Sequence, residues 1–247
     1  MSQFRSVVFS IPLIGIATIV MGTLSLLTSF FDASGNAMHR LARIWAKMLL
    51  AVSFIRVRTE GIEKFDPNAT YVFVANHASF MDIPAILSKV DNQFRFFAKK
   101  GLFQIPFLGT HLLRAGHLPV ERQNPRAAVK IMSEAARIIS ERGTSLLLFP
   151  EGGRSPQGLR DFKEGAAYIA IKAGVPVVPM ALVGMRELLP MGSGNIRSGT
   201  VVLRVGEPIP TRGMQLSQRM ELTQRLYGEI SAMLAGAAQT PTASRES

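Results

Sequence analysis

The sequence predicts an α/β domain on a mixed, largely parallel sheet flanked by helices, preceded by an N-terminal membrane-associated helical hairpin. Three observations lead there. From residue 55 onward, short β-branched or aromatic runs alternate with longer amphipathic segments, the pattern of an α/β sheet. Residues 145–149, Ser-Leu-Leu-Leu-Phe, are apolar after the first position, as expected of a central strand covered on both faces. Residues 7–31 hold no charged side chain over 25 positions. As a helix that run measures about 37 Å, against a hydrocarbon core of about 30 Å.

The apolar run comes after Arg5, as a signal peptide would, but signal cores span only about 7–15 residues. An uncleaved membrane segment fits its length, with Pro12, Gly15 and Gly22 as points where it can bend. Residues 37–54 place Leu41, Ile44, Trp45, Met48 and Leu49 on one side and Arg40, Arg43 and Lys47 on the other. That reads as an amphipathic interfacial helix with Trp45 at headgroup depth. Residues 1–54 are therefore expected to span the bilayer or to dip into one leaflet as a hairpin. The heavier positive charge after the first helix places the α/β domain at the cytoplasmic face of the cell (inner) membrane.

Strands are predicted at 55–59, 71–75, 94–98, 145–149, 177–183 and 200–205, and helices at 83–90, 125–142, 163–173 and 215–234. Together they make one domain over 55–235. Glycines and Pro190 mark 184–199 as a mobile surface loop, and the small polar tail 236–247 is expected to be disordered. Across the 247 residues, 28 basic against 17 acidic side chains give +11. That sign suits nucleic acid, an anionic membrane or a phosphorylated substrate. Basic-aromatic interleaving and nucleic-acid-binding motifs are missing, which argues against the first. With no cysteine, thiol nucleophiles, disulfides and thiolate metal sites are excluded together.

Chemistry concentrates at strand ends, where ligand sites of α/β sheets lie. Asn76-His77-Ala78-Ser79-Phe80-Met81-Asp82 comes directly after the run Tyr71-Val72-Phe73-Val74-Ala75. On one continuous helix His77 and Asp82 would point about 140° apart. They meet only if His77 lies in the loop and Asp82 opens the next helix, where it also reads as an N-cap, with Pro84 in the first turn. A carboxylate on one imidazole nitrogen leaves the other free as a general base. Three further clusters lie downstream: Gly116-His117-Leu118-Pro119-Val120-Glu121-Arg122, Phe149-Pro150-Glu151-Gly152-Gly153-Arg154-Ser155, and Val175-Pro176-Val177-Val178-Pro179. Phe162-Lys163-Glu164-Gly165-Ala166 opens a helix between the last two. His39, His111 and His117 read as structural or interfacial, and Phe96, Phe97, Phe103 and Phe107 as core more than as the lining of a channel.

The order and content of these four blocks resemble the glycerolipid acyltransferases, particularly the bacterial 1-acyl-sn-glycerol-3-phosphate acyltransferases, over roughly residues 70 to 185. Two positions depart from the family pattern. Gly153 stands where threonine is usual, and Pro119 where an aromatic residue is usual. The resemblance implies acyl transfer from acyl-CoA or acyl-carrier protein to the sn-2 hydroxyl of lysophosphatidic acid, giving phosphatidic acid. His77 would be the base and Asp82 its orienting partner. Arg122, Glu151, Gly152, Arg154 and Lys163 would form the phosphate-binding group, with amides near Gly152 and Gly153 as oxyanion donors. Neither a metal nor a resident cofactor is implied, since the thioester is a co-substrate. The expected partners are a lipid acceptor, an acyl donor and the membrane, with no nucleic acid. The alternatives are another acceptor (lyso-ornithine lipid, a lysophospholipid or glycerol 3-phosphate), a hydrolase, and a non-catalytic module that binds anionic lipid.

Overall fold

The computed structural model describes residues 2–120, 125–155 and 157–236. At the N-terminus α1 (Ser2–Arg5), a π-turn (Ser6–Ser10) and α2 (Ile11–Thr28) run as one continuous helix. Pro12 has no N–H for the carbonyl one turn back, and the helix widens just ahead of it. Then come α3 (Asn36–Val52), β1 (Ile55–Glu60), β2 (Val72–Ala75), α4 (Asp82–Lys89), β3 (Phe94–Lys99), α5 (Leu108–Arg114) and β4 (Leu118–Val120). The chain continues through α6 (Pro125–Arg142), β5 (Ser145–Leu148), α7 (Gly165–Ala173), β6 (Val177–Val183), α8 (Met185–Leu188), β7 (Gly199–Val205) and α9 (Arg219–Ala235). The predicted strands and helices are present, with ends shifted by up to four residues. The short elements α5, β4 and α8 had no sequence expectation behind them.

The seven strands form one sheet in the order β1-β7-β6-β2-β5-β3-β4, parallel throughout except for the β6–β7 pair. Side chains of the central strand alternate between two cores. Phe73 and Ala75 join Ala85, Ile86 and Leu87 of α4 and Ala46 and Leu50 of α3. Val72 and Val74 join Ala135 of α6, Ile169 of α7 and Leu222 and Leu226 of α9. A period of two along β2 therefore sets which helices cover each face. With β2 between parallel neighbours β5 and β6, the loops after β2 and β5 emerge side by side.

Two expectations about the N-terminal region change. The face of α3 bearing Met38, Ala46, Leu49 and Leu50 is buried, and Arg43 bonds the Leu87 carbonyl at 3.2 Å and pairs with Asp91. The helix is thus built into the domain along that face, leaving Ile44 and Met48 exposed. Trp45 is half-buried, its indole N–H donating to Thr18 Oγ1 of α2 at 3.1 Å. The 184–199 loop is not a loose surface segment either. It holds α8, buries Met185, Leu189 and Ile196, and receives Arg5 and Ser6 on the Ile196 carbonyl at 2.9 and 3.1 Å. Residues 237–247, most of the expected disordered tail, lie outside the described residues.

The three histidines outside the first block gather near buried Arg95. His39 lies edge-on to Phe94 at 4.8 Å, and His117 stacks on Phe96 at 3.8 Å. Arg95 ties β3 to the α2–α3 turn through the Ser34 carbonyl (2.9 Å) and Asn36 Oδ1 (3.0 Å). Burial first, then the Arg95 charge, lowers His39 to about 3, and burial also depresses His111 and His117. Folded-state values below the unfolded ones mean that acid protonates the unfolded chain first. Stability is then present above about pH 6.5 and lost as pH falls below it. At pH 5 the loss from His39 alone is about 2 kcal/mol. Urea midpoints measured from pH 7.5 to 5 should fall steadily, and His39→Gln should flatten that slope.

Candidate active site

His77 comes after Ala75 and Asn76 at the C-terminal end of the central strand. Asn76 extends the β2–β6 pairing with its side chain, donating to the Leu182 carbonyl (3.1 Å) and accepting the Leu182 N–H (2.7 Å). That pins the point where the strand stops and the loop begins. Asp82 is the first residue of α4 and is fully buried. Its carboxylate does not cap the helix as expected. Oδ2 turns back on the loop and accepts three donors: His77 Nδ1 at 2.7 Å, Ala78 N–H at 2.7 Å and Ser79 N–H at 2.8 Å. The imidazole proton therefore sits on Nδ1. Nε2 carries the lone pair and makes no hydrogen bond among the described residues.

The rest of the His77 residue is also fixed. Its ring stacks on Phe149 at 4.0 Å and 18°, its N–H donates to Glu151 Oε1 at 2.6 Å, and its carbonyl accepts the Ser155 N–H at 3.1 Å. Each of these partners comes from the segment after β5, the parallel neighbour of β2. The side chain keeps 13% exposure, enough for a substrate atom to reach one edge of the ring.

The third block is gathered around the histidine. Glu151 is buried and accepts two backbone amides, His77 through Oε1 and Arg160 through Oε2 at 3.1 Å. Burial pushes its carboxyl up, opposed by the two amides. Gly152 has φ +71°, in the region that favours glycine, and a Cβ there would lie 3.1 Å from Lys163 Nζ. Lys163 is thus folded over the Gly152 backbone, and its own N–H donates to the Pro150 carbonyl at 2.9 Å. It precedes α7, which begins at Gly165, rather than opening it. The Arg154 guanidinium lies 3.5 Å over the Phe80 ring, joining the third block to the first.

Other expectations fare differently. The Gly152 amide, expected as an oxyanion donor, donates to the Phe149 carbonyl at 3.0 Å and is already used. The fourth block enters β6 beside Val72, at the opposite end of the strands from His77. There it acts in the framework: the Pro176 carbonyl accepts the Val72 N–H at 3.0 Å, and the Pro179 carbonyl accepts the Gly206 N–H at 2.8 Å. Arg122 lies outside the described residues, two positions past the end of β4. Sequence reasoning passed over Phe149 and Phe80. Phe149 stood directly before Pro150-Glu151, and Phe80 lay within the first block. Among the described residues no three His, Asp or Glu side chains are grouped as a metal site.

The half-buried His77, held by the buried Asp82, thus lies at the mouth of the central parallel strand beside a loop carrying arginine and lysine. The acyltransferase family model matches residues 56–183, just over half of the chain, and the chain belongs to that family. It is 37% identical over 174 residues to the chloroplastic 1-acyl-sn-glycerol-3-phosphate acyltransferase LPAT1 of Arabidopsis thaliana, which covers 69% of this chain and 48% of that protein. It is 34% identical over 216 residues to the chloroplastic BAT2 enzyme of Brassica napus, covering 84% and 62%. The chain thus spans roughly half to three fifths of these relatives' lengths. The crystal structure of PlsC, the 1-acyl-sn-glycerophosphate acyltransferase of Thermotoga maritima, superposes with a TM-score of 0.81 at 27% identity. It covers 97% of this chain and 99% of that one.

Removing the Asp82 carboxylate leaves the Ala78 and Ser79 amides buried without an acceptor, at about 1–3 kcal/mol each. Asp82→Ala should lower unfolding stability by about 2–5 kcal/mol in urea titrations, whereas Asp82→Asn, which keeps one acceptor oxygen, should lose clearly less.

Proposed function

We propose that this protein transfers a fatty acyl group from acyl-CoA or acyl-carrier protein to the sn-2 hydroxyl of 1-acyl-sn-glycerol 3-phosphate, giving phosphatidic acid. One observation carries the reading: His77 Nδ1 is held by Asp82 while Nε2 is left without a partner, beside the loop that bears Arg154 and Lys163. The names of the relatives support the choice of acceptor. In the reaction, Nε2 takes the hydroxyl proton as the oxygen attacks the thioester carbonyl, and Asp82 stabilises the imidazolium. The tetrahedral intermediate collapses with cleavage of the C–S bond, and the imidazolium proton passes to the leaving thiolate. A covalent acyl-enzyme is unnecessary because the thioester is already activated. Arg154, Lys163 and Arg122 hold the acceptor phosphate, the arginines by paired N–H donors and the lysine as a point charge.

The protein would then work at the cytoplasmic face of the inner membrane, seated by its N-terminal helix. That helix touches the domain near both ends, Ser6 at the Ile196 carbonyl and Ser29 at Arg114 (2.9 Å). A helix of 27 residues, about 40 Å long, tied to the domain near both ends lies along it rather than standing away from it. Such a posture favours insertion into one leaflet over a crossing.

His77→Ala should lower turnover by about 100- to 10,000-fold in a protein that circular dichroism still shows folded. The test of substrate is a panel of lysophosphatidic acid, glycerol 3-phosphate, a lysophospholipid and lyso-ornithine lipid, offered with labelled acyl-CoA. Acylation of lyso-ornithine lipid with lysophosphatidic acid ignored would overturn the acceptor assignment. Fatty acid release at one rate with or without acceptor would point to a hydrolase.

A further inference from the structure

We propose that the excursion between β3 and β4 is a second membrane-contacting element, inserting Ile105, Phe107 and Leu113 into an anionic bilayer beside the N-terminal helix. The proposal rests on residues 2–28 being membrane-seated, and extends the contact to a part of the domain far from them in sequence.

Exposure is the first observation. Phe107 is 78% exposed and Leu113 61%, which overturns the expectation that Phe107 packs in the core. The second is that the tip is held outward by its own backbone. Phe107 has φ +63° and ψ −55°, a conformation unfavourable for a bulky residue. The surrounding turn enforces it: Leu108 N–H donates to the Pro106 carbonyl and Gly109 N–H to the Ile105 carbonyl, both at 2.7 Å. Gly109 lies so close to the Phe103 carbonyl that no side chain fits between them. A flexible loop would relax this strain by turning the ring inward. The packed turn presents it instead.

Continuity and charge identify the occupant. On α5, Leu113 is next to Arg114, whose guanidinium bonds Ser29 Oγ and lies 4.3 Å over the Phe30 ring at the end of α2. Phe30 and Phe31 are themselves 69% and 91% exposed. The apolar surface therefore runs from the lipid-seeking helix onto α5 without a break in chain contacts. Residues 97–116 contain Lys99, Lys100 and Arg114 and no acidic residue. Exposed apolar side chains flanked by cations match the acyl and headgroup layers of an anionic leaflet. The excursion leaves β3 at the C-terminal edge of the sheet, the edge that carries His77. A leaflet in contact there brings a lysolipid headgroup toward the base while its acyl chain stays in the membrane.

Trp45 is the sole tryptophan, so Phe107→Trp in a Trp45→Phe background reports on the tip alone. With vesicles of anionic phospholipid carrying brominated acyl chains, the emission should shift to the blue and be quenched by about half. The paired change Phe107→Asp with Leu113→Asp should weaken vesicle partition about tenfold, with circular-dichroism melts showing both proteins folded. Unaltered tryptophan emission in a protein that floats with the vesicles would overturn the proposal. So would a blue shift seen without lipid that grows with protein concentration, which would mean that a second copy covers the tip. If the unsubstituted chain does not bind vesicles, the membrane seat itself fails and this contact falls with it. An Ile19→Asp variant, which attacks only α2, separates the two cases.

Discussion

The site depends on one buried oxygen. Asp82 Oδ2 has lost all solvent and is compensated by three N–H donors from the loop that precedes it. A buried carboxylate without such donors costs several kcal/mol, so the loop must close around it if the domain is to fold. Closure turns the Ala78 and Ser79 amides inward and sets the imidazole tautomer in the same step. The tautomer thereby becomes a by-product of folding: the contacts that make the carboxylate tolerable also leave Nε2 as the free nitrogen.

Much of this was legible in the chain, and the reasons differ by residue. The five-residue separation of His77 and Asp82 excluded a shared helix, so a loop-to-helix geometry was implied by periodicity alone. Alternation of apolar and amphipathic runs gave the α/β class, because most strands are followed in sequence by a helix. Strand order was not legible. That β5 pairs with β2, bringing Phe149 and Glu151 to His77, depends on contacts over seventy residues apart. Short elements such as β4 and α8 escaped because three or four residues carry too little pattern to tell a strand or a helix from a turn. The fourth block, a proline-rich entry to β6, lies at the end of the strands opposite to His77.

Glu151 shows how a charged residue in a recognisable motif can work through the backbone. Its two oxygens join the His77 amide to the Arg160 amide, so one carboxylate sets the spacing between the loop after β2 and the loop after β5. Desolvation pushes its carboxyl upward, and those amides oppose that shift. The residue braces two loops, a part that shows in the direction of its hydrogen bonds and in no sequence pattern.

The division of labour that results bears on specificity. His77 has its ring face, Nδ1, N–H and carbonyl all occupied, by Phe149, Asp82, Glu151 and Ser155. It has no alternative pose to adopt, so on the acyl-transfer reading the base is the same for any hydroxyl that reaches Nε2. On that reading, selection among hydroxyls falls to the cations: Arg122, and Arg154 and Lys163 in the segment from Gly152 to Lys163. That segment is tied to its surroundings by the Ser155 N–H on the His77 carbonyl, the Arg160 N–H on Glu151 and the Lys163 N–H on the Pro150 carbonyl. Gly153, where the family pattern usually reads threonine, falls within that segment and brings no side-chain hydroxyl to it.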